Sequence, residues 1–175
     1  MSCNTSLSAI IKTCDNNIGG IVKFYIAPTE FVTSASVTGT TAGQIDSITM
    51  SGSAKFVEFK FNKNTATLDE TGTSSLENGS KFYAYKVVIK LPRREVVKRN
   101  ALALIGAGNR DLKLICTDGN GLNWYVGFAN SANLISQTGG FGATKGDGST
   151  YILEFLAEEP AEIYEVTDAA LASVI

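Results

Sequence analysis

The sequence predicts a mainly β protein: two packed antiparallel sheets, as a sandwich or barrel, with one flanking α-helix. Three observations carry this. Short runs of β-branched and aromatic residues recur along the 175 residues, separated by clusters of Gly, Asn and Ser. Arg93–Ile105 is the one clear stretch with apolar residues at helical spacing. Hydrophobic residues make up 44% of the chain and charged ones only 18%, enough apolar material for a real core and too much for general disorder.

The elements are read in order as one domain. Residues 1–17 form an amino-terminal arm with a short apolar patch, Leu7–Ile11. A strand Ile21–Ile26 follows the turn at Asn16–Gly20 and ends at Pro28. Thr29–Gly43, rich in Thr, Ser, Ala and Gly, is expected to be a long loop. Gln44–Met50 is a strand. Lys55–Lys63 alternates, with Val57, Phe59 and Phe61 on one face and Phe56, Glu58, Lys60 and Asn62 on the other. Thr65–Ser75 is a Thr-rich strand, and Asn78-Gly79 is a hairpin signal.

Next comes a strand–helix–strand unit. Lys81–Leu91 is aromatic and β-branched. Pro92 closes it, because proline cannot donate to a ladder and presets φ for a first helical turn. Helix 93–105 is expected to bury Val97, Ala101, Leu104 and Ile105, with Gly106 and Gly108 as its stop. Asp111–Cys116, Leu122–Phe128, Asn133–Thr138 and Tyr151–Leu156 read as strands. Residues 18–159 thus form the sandwich, and 160–175 a carboxy-terminal extension whose last part, Asp168–Ile175, suits a short helix.

Catalytic constellations are absent from this pattern. There is no histidine, which removes Ser-His and Cys-His pairs and the commonest metal ligand. Gly106-Ala-Gly108 follows a helix and precedes a strand, the reverse of a dinucleotide-binding turn. Asp118-Gly-Asn-Gly121 has two oxygen side chains at alternate positions but lacks the other calcium ligands, so a hairpin turn is expected. Gly139–Gly148 is a glycine-rich hairpin without the Gly-Lys-Ser/Thr ending of a phosphate loop. Arg93, Arg94, Lys98 and Arg99 form the one basic cluster, read as the wet side of a helix or a partner contact. No enzyme activity and no cofactor are expected. Cys116 lies in an apolar strand as a buried small hydrophobe; Cys3 and Cys14 are free to pair or not. The net charge of −2 gives no overall basic field to attract nucleic acid. No leading basic-plus-apolar segment and no apolar run of about 18 residues is present, so no membrane segment is expected and the chain is expected to be kept, or assembled, in a cytoplasm.

With these elements placed, the order resembles tail tube proteins of tailed bacteriophages, in particular a group found in phages of Bacteroidetes hosts. The resemblance rests on the Cys-bearing amino-terminal segment before Asn17–Ile26, and on Ser75-Leu-Glu-Asn-Gly79 leading into Phe82–Leu91. It rests also on the helix and strand followed by Asp118-Gly-Asn-Gly121 and Trp124-Tyr-Val-Gly127, and on Gly139-Gly-Phe-Gly142 ahead of Tyr151–Leu156. It implies a structural virion protein whose hexameric rings stack into a tube carrying DNA from capsid to host. The implied partners are further copies of itself, other tail and neck proteins, and DNA passing without specific binding. The implied location is the virion tail, assembled in the host bacterial cytoplasm.

Within that reading, Lys55–Lys63 and Thr65–Ser75 are expected to pair as the lumen wall. Glu58, Lys60 and Asp69 would face the channel, Asp69 alternating with Thr65, Thr67, Thr71 and Thr73, while Glu70 shares the other face with Ala66 and Leu68. A basic wall would bind duplex phosphates, so a conduit should be neutral or acidic. Two alternatives stand beside it. One is another virion part of related fold: a tail terminator, neck or head-decoration protein. The other is a carbohydrate-binding sandwich with Trp124, Tyr125 and Tyr151 as its aromatic platform.

Overall fold

The computed structural model describes residues 9–10, 12, 14–37, 41–106 and 109–175. Twelve strands and two α-helices are seen among them. They are β1 (Ile21–Pro28), β2 (Val32–Ser36), β3 (Gln44–Ile45), β4 (Ser47–Met50), β5 (Val57–Glu58), β6 (Ala66–Ser74), β7 (Lys81–Pro92), α1 (Val96–Gly106), β8 (Leu112–Asp118), β9 (Asn123–Val126), β10 (Asn133–Gly140), β11 (Thr150–Glu159), β12 (Tyr164–Val166) and α2 (Asp168–Val174). The chain is mainly β with packed antiparallel sheets, as the sequence predicts.

The layers are a four-stranded sheet, β10-β11-β7-β6, a six-stranded sheet, β3-β12-β9-β8-β1-β5, and a cover made of α2 and the β2–β4 pair. The four-stranded sheet is antiparallel throughout, and in the other only β12–β3 is parallel. Between the sheets lies one core: Phe24, Ile26, Leu112, Leu114 and Val126 meet Tyr85, Val87, Ile89, Leu153 and Phe155. A second core lies on the far side of the six-stranded sheet, where Tyr25, Ile115 and Tyr125 meet Ile45, Ile48, Phe56, Leu171 and Val174. The middle of the six-stranded sheet is therefore covered on both faces, and β8 is buried at every position from Leu112 to Thr117, Lys113 included.

The carboxy-terminal residues are not an extension. β12 pairs with both β9 and β3, and α2 fills the second core with Ala170, Leu171 and Val174. Thr167 caps α2, its hydroxyl accepting from Ala170 N at 3.2 Å. Thr29–Gly43, expected to be a loop, contains a 3₁₀ turn at Thr29–Phe31 and then β2, which pairs with β4. Gln44–Met50 is two strands split at Asp46, one in each of two sheets.

Helix α1 begins three residues later than the predicted 93–105, because Arg93 takes a left-handed φ of 56° and Lys98 Nζ donates to the carbonyls of Pro92 and Arg93. Its buried residue is Leu102, 1% exposed, with Ile105 packed beside it against the core between the sheets. Ala101 is half-buried. Val97 and Leu104, expected on the buried face, are 77% and 64% exposed. The reason is that Ala101–Ile105 is apolar on every side of the helix, so spacing alone does not choose the face; the Leu102 contact does. No helix among the described residues is long and apolar enough to cross a membrane.

Candidate functional site

The outer face of the four-stranded sheet lies opposite the core between the sheets, and none of the other layers packs on it. Alternation along its strands decides what it presents. On β7, Tyr83, Tyr85, Val87, Ile89 and Leu91 are buried, so Phe82, Ala84, Lys86, Val88 and Lys90 look outward. On β11, Tyr151, Leu153, Phe155 and Ala157 are buried, and Ile152, Glu154, Leu156 and Glu158 look outward. Register then fixes β6: Thr67, Asp69, Thr71 and Thr73 oppose Val88, Lys86, Ala84 and Phe82.

Asp69 therefore stands on this face among threonines. Lys86 lies opposite it and forms an ion pair with Glu154 at 3.3 Å. That pair was not singled out from sequence, although both residues occupy polar positions of alternating strands. Glu70 opposes buried Tyr85 on the other side. Partial burial, and then the nearby Glu162, raise its carboxyl above the usual range.

Glu58 and Lys60 are not on this wall. The segment Lys55–Lys63 does not pair with β6. Its only strand, β5, pairs with β1 at the edge of the six-stranded sheet. The cause is that three phenylalanines of the segment serve two cores. Phe56 is buried in the second core, whereas Phe59 and Phe61 pack against the first, with Phe59 edge-on to Phe24 at 6.1 Å. Val57, expected inside, is 57% exposed. Glu58 and Lys60 stand 3.9 Å apart at the mouth of a hollow of about 250 Å³ that is walled by Phe59, Leu91, Val97, Ala101 and Leu102.

The basic cluster is largely engaged. Arg93 pairs with Glu95 at 3.2 Å, and Arg94 stacks between Phe141 and Tyr151, 4.7 and 4.5 Å from the ring centres. A side chain at Gly139 would press on Thr150 O at 3.0 Å and on the Tyr151 ring, so a glycine is needed beside this stack. The Asp118 turn holds its own carboxylate: Oδ1 accepts from Asn120 N and Leu122 N at 2.8 and 2.9 Å, and Oδ2 from Trp124 Nε1 at 3.2 Å. Tyr125 and Tyr151 are buried, so they make no platform with Trp124. Cys116 is buried, its thiol pushed up to about 12 by burial, and Cys14 is exposed. The Cys3 side of any Cys3–Cys14 pairing lies outside the described residues, as does most of Leu7–Ile11.

A buried polar clamp holds the loop after β9. Glu159 accepts from Ala129 N and Asn130 N at 2.9 and 3.1 Å, and Lys113 Nζ donates to the carbonyls of Gly127 and Phe128. Burial raises the Glu159 carboxyl and lowers the Lys113 ammonium; each opposes the other's shift. Among the described residues, no group of three or more His, Cys, Asp or Glu is placed to hold a metal ion. No family model and no curated protein sequence matches the chain.

Proposed function

We propose that this chain is a structural virion subunit that self-assembles into stacked hexameric rings, forming a phage tail tube through which DNA passes to the host. The observation that carries the reading is the four-stranded sheet: one face is bare, and each outer strand, β6 and β10, is paired on one side only among the described residues. Such edges are a liability in a solitary domain and a resource in an assembly. β10 carries neither charge nor proline, the usual protections of a free edge.

The two edges also fit each other. With four antiparallel strands, β6 and β10 run in opposite directions. β6 of one copy beside β10 of the next therefore continues the sheet as another antiparallel pair. Their lengths match, at 9 and 8 residues. Repetition of this heterologous contact closes a ring when the rotation per copy divides a full turn. The bare faces then become the inner wall. Asp69, Glu154 and Glu158 on that wall, with Thr67, Thr71 and Thr73, offset Lys86 and Lys90. A wall without net basic charge limits the counterion release that would hold a duplex in place. Glu58 and Lys60 drop out of the lumen set, and Asp69 remains in it.

In this reading the partners are further copies of the chain and other tail and neck proteins, in a virion tail assembled in the host bacterial cytoplasm. The test is negative-stain microscopy of the concentrated protein. Rings or tubes with a central channel are expected; dispersed monomers at all concentrations would overturn the reading.

A further inference from the structure

The four-stranded sheet has two unlike ends. At one end is the β6–β7 hairpin, with Leu76 and Glu77 at its tip. The tip is ordered: Gly79 N donates to Ser75 O and Ser75 N to Ser80 O, both at 2.9 Å, and Asn78 Oδ1 accepts from Ser80 N at 3.0 Å. Leu76 is nevertheless fully exposed. The exposed acids at this end are Glu70, Glu77, Glu158 and Glu162, against Lys81.

At the other end, where β7 finishes and α1 begins, is the hollow lined by Phe59, Leu91, Val97, Ala101 and Leu102, with Lys60 and Lys98 at its rim. Lys63, Lys90, Arg93, Arg99 and Lys145 are exposed toward this end of the sheet. Three nearby acids are already engaged: Glu58, also at the rim, by Lys60 at 3.9 Å, Glu95 by Arg93, and Asp147 by the backbone N–H groups of Ala143 and Thr144. A knob with an acidic collar thus stands at one end and a socket with a basic rim at the other.

We propose that the Leu76–Glu77 tip of one copy seats in the α1 hollow of a second copy, joining subunits end to end. This specifies the axial contact of the assembly proposed above and rests on that reading. The tip does not reach its own socket: β7, 12 residues long, separates them by about 40 Å at roughly 3.3 Å per residue. Leu76 covers the apolar wall, and Glu77 approaches the rim, where Lys60, paired with Glu58, and the exposed Arg99 lie. A knob and a socket on opposite ends of one molecule make a heterologous contact that does not close, so copies add without limit along one axis. The lateral β6–β10 contact closes, whereas this one extends. Opposite charge at the two ends speeds and orients encounter and disfavours like-end collisions.

Site-directed crosslinking tests the contact. In a background carrying Cys3→Ser and Cys14→Ser, one protein bears Leu76→Cys and another Val97→Cys. Oxidation of the mixture is expected to give a disulfide-linked pair, and neither protein alone, nor Leu76→Cys mixed with Ile135→Cys, is expected to do so. Leu76→Asp is expected to raise the concentration needed for end-to-end growth by about tenfold or more, since loss of one buried leucine is worth at least that factor. Its thermal unfolding should be unchanged, because the residue is exposed. Glu77→Lys is expected to weaken growth, and Lys60→Glu added to it to restore growth in part. Closed rings that do not stack, or that stack equally well with Leu76→Asp, would overturn this contact and leave the ring standing. Linear chains sensitive to Leu76→Asp but never closing would support the contact and overturn the ring. Monomers under all conditions would overturn both.

Discussion

β8 and β7 are both apolar strands of the same core, and they follow different rules. β8 is buried at every position from Leu112 to Thr117, because one face meets the four-stranded sheet and the other meets α2 and the β2–β4 pair. β7 is buried at alternate positions from Tyr83 to Leu91, because only one of its faces is covered. The six-stranded sheet is thus an internal plate and the four-stranded sheet an outer wall. Substitutions should be felt at every position of β8 from Leu112 to Thr117 and at every second position of β7.

The most damaging test places a charge in the plate. Ile115→Asp is expected to prevent folding, since an unpaired buried charge costs several kcal/mol, comparable with the whole stability of a domain. Leu102→Asp should do the same from the helix side, whereas Leu104→Asp should fold; soluble expression and circular dichroism separate these. Smaller cavities sharpen the contrast. Leu114→Ala and Ile115→Ala, adjacent on β8, should each cost about 2–5 kcal/mol in urea unfolding. On β7, Ile89→Ala should cost a similar amount, while its neighbour Lys90→Ala should stay within about 0.5 kcal/mol. Equal losses at Ile89 and Lys90 would mean that the wall is covered.

A subtler test leaves stability alone and reads the bare face. Asp69→Lys should keep the fold and, in the tubes proposed above, cause short duplex DNA to be retained in a salt-dependent way. Unchanged DNA retention by intact tubes would put Asp69 outside the channel. The mildest test is chemical. In the native protein iodoacetamide should modify Cys14 and spare Cys116, whose thiol is both inaccessible and held in its neutral form by burial. Peptide mapping would show Cys116 labelling only after denaturation.

The parts of the fold legible in the sequence are those where a single face is buried. β7 and β11 alternate, and the Asn78-Gly79 turn between β6 and β7 sits where the dipeptide marks it. Asp69 shares the outward face with the threonines because β6 obeys the same alternation. Legibility fails where a segment serves two masters. Lys55–Lys63 has the period of one strand, yet Phe56 and Phe59 enter different cores, which removed Glu58 and Lys60 from the wall. β2 was hidden because Thr33, Ser34 and Ser36 carry no hydrophobic period, and its pairing with β4 is decided by partners distant in sequence. β12, three residues long, is too short to leave any pattern.

The parallel pairing of β12 with β3 has a consequence for how the protein is made. Gln44 and Glu165, whose side chains meet at 3.0 Å, are 121 positions apart. At ribosomal speeds of roughly 5–20 residues per second, β3 waits on the order of ten seconds for its neighbour. Until then Ile45, Ile115 and Tyr125 have no α2 above them, and the plate lies open on the side that becomes the second core. Contacts this remote slow folding and lengthen the time spent sticky. The nascent chain therefore covers its second core late, and the order of events during synthesis, not only the final stability, governs how much of it reaches the folded state.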